Sequence, residues 1–203
     1  MGCKNKECKG DRIMLKIKSL NMPIKVLKSK NKETILDYNK YIEACQLIAN
    51  DIKEKYDLEH GEIELVGLAR GGLPLLVTIS HLLNIRRISI IQTQMSNSDN
   101  CHDYGEVRYI SDNLDNVKRN CILLEDIIYK GKTTNEAINI AKSKNKNVIG
   151  VYSLIIDEKF KAIEIENNNI PINYVYEILA DHWIYFFWET DIRKMKEGSE
   201  IND

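Results

Sequence analysis

The first part of the chain, to about residue 35, is polar and irregular, with one short apolar run at Ile24-Lys25-Val26-Leu27 that suits a strand. The pattern then becomes periodic. Tyr41, Ala44, Cys45, Ile48, Ala49 and Ile52 recur at three- and four-residue steps, which predicts an amphipathic helix from about Tyr38 to Tyr56. Gly61 breaks the segment, and Ile63, Leu65, Val66 and Leu68 form the nearly continuous apolar run of a strand buried on both faces. Ala69-Arg70-Gly71-Gly72-Leu73-Pro74 reads as a turn leading into a helix from Pro74 to Leu83, since Pro suits a first helical position. The paired glycines permit unusual backbone angles and close approach of a ligand. Ile88-Ser89-Ile90-Ile91 is the next strand, and from Met95 to Asn120 the chain turns polar, a length that marks a lid or an insertion. A strand at 121–125, a helix at 133–144, a strand at 147–155 and a short strand from Asn173 to Leu179 follow.

Alternating strands and helices predict an α/β fold with a central, mostly parallel sheet flanked by helices. Ligands of such sheets bind beyond the carboxyl ends of the strands. A length of 203 residues suits one domain with a small appended part. The expected division is a loosely ordered N-terminal extension at 1–35, a core at 36–156 containing a flexible lid at 95–120, and a C-terminal hood and tail at 157–203.

Composition narrows the function. A hydrophobic content of 43% with 29% charged residues is ordinary for a soluble protein, and a net charge of −1 argues against a nucleic-acid-coating surface. No apolar run is long enough to span a membrane and no secretory leader is evident, so a cytoplasmic location without a membrane partner is expected. Cys45 and Cys121 sit in apolar patterns and read as buried, while Cys3 and Cys8 lack the second pair that zinc-finger spacing requires.

The candidate chemistry is concentrated in Glu125-Asp126-Ile127-Ile128-Tyr129-Lys130-Gly131-Lys132-Thr133-Thr134. An apolar run, Cys121 to Leu124, precedes it and a helical pattern follows, so two acids stand at the end of a buried strand and a small-residue turn opens a helix. Helix N-termini bind phosphate through partnerless N–H groups and a positive dipole end. Adjacent acids hold ribose hydroxyls or a hard cation. The expected ligand carries a sugar, a phosphate and Mg²⁺. Gly131-Lys132-Thr133 is not a Walker loop, because Asp126 occupies the place of its first Gly.

This stretch resembles the phosphoribosyl pyrophosphate signature of the type I phosphoribosyltransferases: strand, two acids, two apolar residues, an Asp, then Thr-Gly-x-Thr. Tyr129 stands where the family has its Asp, the proposed general base of purine members, and Lys130 where it has Thr. A Tyr of ordinary pKa, about 10, is a poor base at neutral pH. Ala69-Arg70-Gly71-Gly72 resembles the family's pyrophosphate loop, and the 95–120 segment its lid, where Arg108 or Lys118 could meet the leaving pyrophosphate. Trp183-Ile184 and Phe187-Trp188-Glu189 are similar to the C-terminal Trp-Ile/Val-x-x-Pro-Trp stretch of the xanthine-guanine and hypoxanthine group, with Phe187 in place of Pro. Its bland alternative is an aromatic plug that packs the hood onto the core. The Lys with which the family reads a 6-oxo group falls at Leu154 or Ile155, with Lys159 and Lys161 a few residues on.

The resemblance implies transfer of 5-phosphoribose from its 1-pyrophosphate to a purine base, with Mg²⁺ as cofactor. It gives Glu125, Asp126 and Tyr129 the catalytic positions and assigns Mg²⁺ to Glu125 and Asp126, mostly through the substrate. Arg70, Gly71 and Gly72 bind pyrophosphate, Lys130, Gly131, Lys132, Thr133 and Thr134 bind the 5′-phosphate, Trp183 stacks on the base, and Ile184 reads its edge through the main chain. His182 is a further candidate for the base pocket. The partners implied are phosphoribosyl pyrophosphate, a purine and further copies of the chain as a homo-oligomer. The departures at 129 and 154 define the alternative, a phosphoribosyl- or nucleotide-binding regulator of the same fold with impaired catalysis.

Overall fold

A computed structural model describes residues 25–27, 33–60, 62–95, 106–157, 170–178 and 183–189. The elements in order are β1 (Lys25–Leu27), β2 (Glu33–Leu36), α1 (Tyr38–Lys55), β3 (Ile63–Ala69), α2 (Gly72–Leu83), β4 (Ile88–Met95), β5 (Val107–Asp112), β6 (Arg119–Ile128), α3 (Lys132–Ser143), β7 (Lys146–Asp157), β8 (Ile172–Ile178) and β9 (Trp183–Phe186). Seven strands form one sheet in the order β1-β8-β7-β6-β3-β4-β5. All neighbours are parallel except β4 and β5. A separate parallel pair, β2 with β9, forms a small second sheet, to which the expected C-terminal hood contributes β9.

The helices form where the pattern and the caps agree. Asp37 caps α1 by accepting the Lys40 N–H at 3.0 Å, and Tyr41, Ala44, Cys45, Ile48, Ala49 and Ile52 are its buried face, as their spacing predicts. The sheet separates two cores. One joins α1 and α2 to Ile122, Leu124 and Leu154, and the other joins α3 to Val66, Leu68 and Leu123. Cys45 and Cys121 are buried and free.

Two expectations need correction and one gains detail. The 95–120 segment contains an edge strand, β5, which pairs with β4 from Met95↔Val107 back to Ile91↔Asp112, while residues 96–105 of the expected lid lie outside the described residues. Its alternating Val-Arg-Tyr-Ile-Ser-Asp sequence leaves most side chains exposed, so no apolar run announces it. Lys118 immediately precedes β6 and therefore lies at the amino end of the parallel sheet, away from any pyrophosphate beyond the carboxyl ends; Arg108, beside Gln94 at the far end of β4, stays at the site edge. Helix α2 begins at Gly72, so Pro74 is its third residue and not its first.

The amino end of the sheet carries a charge network that the sequence did not announce. Lys146 is fully buried, and its Nζ donates to Glu64 Oε2 and Asp115 Oδ1, both at 2.7 Å, and to the Val117 carbonyl at 3.2 Å. Arg119 forks onto both oxygens of Asp115 at 2.6 and 2.7 Å, and Ser89 donates to Glu64. A buried ammonium is tolerable only because carboxylates and a carbonyl replace its water.

Candidate active site

Strand order decides where the two candidate turns meet. β3 lies between β4 on one side and β6 on the other, so successive connections leave in opposite directions and a crevice opens at the carboxyl ends of β3 and β6. The Arg70-Gly71-Gly72 turn leaves β3 there, and the Tyr129–Gly131 turn leaves β6. With Gly67 paired to Leu124, β3 stops at Ala69 while β6 runs on to Ile128, so the first turn folds back against β6.

That contact explains the glycine pair. A Cβ on Gly72 would stand 2.5 Å from the Leu124 carbonyl oxygen, and one on Gly71 would overlap the Asp126 carboxylate. Gly71 has ordinary helical angles, φ −59° and ψ −39°, so it is glycine for space and not for the unusual angles the sequence suggested. The preceding Ala69–Arg70 peptide is cis. Gly131 is the contrary case. It caps α3 at φ 69°, a left-handed conformation that only glycine adopts without strain, and it has no side chain to cover the helix N-terminus. A pocket of about 60 Å³ lies over this turn, lined by Glu125 and residues 127–134. Within it Lys130 and Lys132 are exposed, Tyr129 and Thr133 half-buried, and Gly131 and Thr134 buried.

The two acids face opposite ways, as successive strand residues must. Glu125 is buried on the α3 side and accepts the Thr134 hydroxyl at 2.5 Å. Burial pushes its carboxyl up to about 8, with the Thr134 bond opposing and the Asp126 charge adding to the rise. Asp126 is partly exposed on the α2 side. Burial raises it to about 6; the Ile127 N–H and its own N–H oppose this and the charge of Glu189 adds to it. Ser153, paired with Glu125 on β7, holds its one hydroxyl proton between the carbonyls of Ile155 at 2.7 Å and Asp126 at 3.2 Å, at the end of β6.

Sequence reasoning missed Ser153 and Glu189. Ser153 sits in an apolar strand with no motif around it. Glu189, whose Oε2 accepts the Phe186 N–H at 3.2 Å, has one signal, an acid closing an aromatic run. The run itself divides in two. Phe187 and Trp188 pack with Tyr38 and Tyr41 at centroid distances of 5.3–5.5 Å, and Trp188 stacks on Phe186 at 4.6 Å, so these rings fasten the hood to α1. Trp183 is 38% exposed on the other face of β9, while Ile184 is buried. Leu154 and Ile155 are wholly buried core residues. His182, Lys159 and Lys161 lie outside the described residues.

Among the described residues no three carboxylate, His or Cys groups converge to hold a metal. An acid pair beside two turns that open helix N-termini still fits Mg²⁺, which keeps much of its water and is carried by substrate phosphates with one or two carboxylates. No helix among the described residues is long and apolar enough to cross a membrane.

Known proteins share this fold. A curated hypoxanthine phosphoribosyltransferase of Buchnera aphidicola subsp. Schizaphis graminum is 25% identical over 138 residues, covering 68% of this chain and 75% of the relative. The purine phosphoribosyltransferase of Pyrococcus horikoshii superposes with a TM-score of 0.60 at 21% identity, covering 77% of this chain and 93% of that one. The xanthine-guanine-hypoxanthine phosphoribosyltransferase of Helicobacter pylori does so with 0.58 at 17% identity, covering 81% and 99%. The phosphoribosyl transferase domain model matches residues 31–193, a span that takes in the hood strands, both turns and the acid pair, and the chain belongs to that family, with its type I fold.

Proposed function

We propose that this protein transfers 5-phosphoribose from phosphoribosyl pyrophosphate to a purine base of the xanthine, guanine and hypoxanthine class. The observation that carries the reading is the meeting of the Gly71-Gly72 turn with Asp126 at the switch point between β3 and β6. In the reaction a base nitrogen forms a bond to C1′ as the bond from C1′ to the pyrophosphate oxygen breaks, and the electron pair leaves with pyrophosphate. Arg70 and the backbone of Gly71 and Gly72 neutralise that leaving group. The Lys130–Thr134 turn holds the 5′-phosphate, and the acid pair serves the ribose. Glu125 and Asp126 would hold Mg²⁺, mostly through the substrate, and the ion would supply charge neutralisation to the reaction. Trp183 stacks on the base and Ile184 reads its edge, which orients the nitrogen for attack.

Tyr129 leaves proton removal from the base without its usual carboxylate, which suits a substrate that ionises easily, such as xanthine. The same departure favours the second reading, a regulator that binds without turnover. A nucleotide-formation assay with phosphoribosyl pyrophosphate, Mg²⁺ and xanthine, guanine, hypoxanthine, adenine or uracil separates the two. Nucleotide from an oxopurine is expected. Binding of phosphoribosyl pyrophosphate without product from any base supports the regulator, and neither binding nor product removes both readings. Tyr129→Asp should raise turnover on guanine and hypoxanthine more than on xanthine. Turnover left unchanged by Tyr129→Asp on every base would show that proton transfer at this position does not limit the reaction.

A further inference from the structure

Helical spacing accounts for the ring of Tyr41 but not for its hydroxyl, because Phe would fill the same place on the buried face of α1. Tyr41 is 3% exposed, and a buried hydroxyl must be paired. Both of its partners belong to α2. It donates to the Pro74 carbonyl at 2.8 Å, which spends its single proton, so the Thr78 hydroxyl, 2.6 Å away, is the donor of the second bond. Burial pushes the phenol well above its ordinary value, and the proton stays in place at neutral pH. The ring packs against Phe187 at 5.3 Å and Trp188 at 5.5 Å. One residue therefore grips both the rings that follow β9 and the first turn of α2.

Gly71 caps α2 without a side-chain hydrogen bond, so the helix start is left open and has to be held from its flank. Pro74, the third residue of α2, transmits the hold. Its ring fixes φ, so gripping its carbonyl limits the directions open to the residues just before it. We propose that Tyr41 is a positioning residue: without touching substrate, its hydroxyl pre-orders the Arg70-Gly71-Gly72 turn for pyrophosphate, and Phe187 and Trp188 hold the ring to that task. The assignment rests on the phosphoribosyltransferase reading above. A turn left loose has to be ordered when the ligand arrives, and that entropy is subtracted from affinity. The cost falls only on ligands that carry a pyrophosphate. Ribose 5-phosphate engages the Lys130–Thr134 turn and the acid pair and leaves the start of α2 empty.

The test measures the affinities of phosphoribosyl pyrophosphate with Mg²⁺ and of ribose 5-phosphate in wild type, Tyr41→Phe and Ile48→Val. Tyr41→Phe keeps the ring against Phe187 and Trp188 and removes only the hydroxyl. It should weaken phosphoribosyl pyrophosphate about 3- to 10-fold, the range of one hydrogen bond, and leave ribose 5-phosphate within about twofold of wild type. Ile48→Val trims a wholly buried residue on the same face of α1 and controls for lost stability. It should lower Tm while changing neither affinity by more than about twofold. Undiminished phosphoribosyl pyrophosphate affinity in Tyr41→Phe would overturn the assignment. Equal losses for the two ligands would overturn it as well, and so would the same selective loss in Ile48→Val, because each marks general loosening of α1. If wild type binds neither ligand, the phosphoribosyltransferase reading itself fails, a result distinct from a wild type that binds and a Tyr41→Phe that binds equally well.

Discussion

Alanine placed at Gly71 and at Gly72 should give two different failures, although the residues are neighbours with helical backbones. At Gly72 the new methyl would lie 2.5 Å from the Leu124 carbonyl oxygen and 3.3 Å from Glu125 Cα, both parts of β6 itself. Ordinary contact at about 3.4 Å requires α2 and β6 to separate by nearly 1 Å, and overpacking of this kind costs about 1–3 kcal/mol. Better helix propensity returns up to about 1 kcal/mol of it. A net cost of about 1–2 kcal/mol lowers Tm by about 2–8 °C for a chain of this size. At Gly71 the obstacle is the Asp126 carboxylate, a side chain that can turn away, so Gly71→Ala should lose less stability than Gly72→Ala. Its loss is functional. Displacing the carboxylate from the crevice should weaken phosphoribosyl pyrophosphate binding about 10- to 100-fold, the range of a lost hydrogen bond to a charged group. Thermal unfolding and a phosphoribosyl pyrophosphate titration on the same preparations read both effects. A Gly72→Ala protein as stable as wild type would refute the packing of this turn on β6. A Gly71→Ala protein of undiminished affinity would refute the role given to Asp126.

The raised acids should make the ligand-free fold weaken toward alkaline pH. Between the unfolded value of 4.5 and the folded value of about 8 the native state holds a Glu125 proton that the unfolded chain has lost, so stability falls as pH rises across that window and levels above it. The ceiling of this contribution is about 5 kcal/mol. Asp126 adds a smaller fall between 3.8 and about 6. Wild type should therefore lose more Tm from pH 5 to pH 8 than Glu125→Gln does, and parallel curves would refute the shift. Lys146→Met should cost about 3–5 kcal/mol in denaturant unfolding, because it removes the cation 2.7 Å from the 3%-exposed Glu64 side chain and leaves it only Arg119 at 3.8 Å; a loss under 1 kcal/mol would show that Arg119 or water makes good the lost ammonium. Trp183→Ala should raise KM for the base about 5- to 100-fold, the range of one lost base stack, at unchanged stability. Trp188→Ala should instead lower Tm, and reversed outcomes would exchange the roles of the two rings.

What was legible in the chain is whatever short-range pattern controls. The face of α1 from Tyr41 to Ile52 follows from helical periodicity, and β3 and β6 follow from apolar runs that only a sheet covered on both faces can bury. The glycine pair and the acid-to-helix turn were readable as chemistry because their spacing along the chain is itself the geometry of a turn. Elements whose stability comes from distant partners were not readable. β2 has four residues behind a Lys- and Asn-rich stretch and is a strand because Trp183 to Phe186 pair with it. β5 is exposed along most of its length and exists as the antiparallel edge of β4. Lys146 looks like a solvated residue at a strand start and is buried because Glu64 and Asp115 converge on it from other elements. The alternation of Glu125 and Asp126 was latent in the sequence, since β6 had to present them to opposite faces. Which turn each acid meets was decided by the strand order, which sends the connection after β3 to one side of the sheet and the connection after β6 to the other. Hydrophobic period fixes local conformation through neighbouring side chains, whereas the site is assembled by contacts across more than fifty residues of chain, and only the assembled sheet sets those.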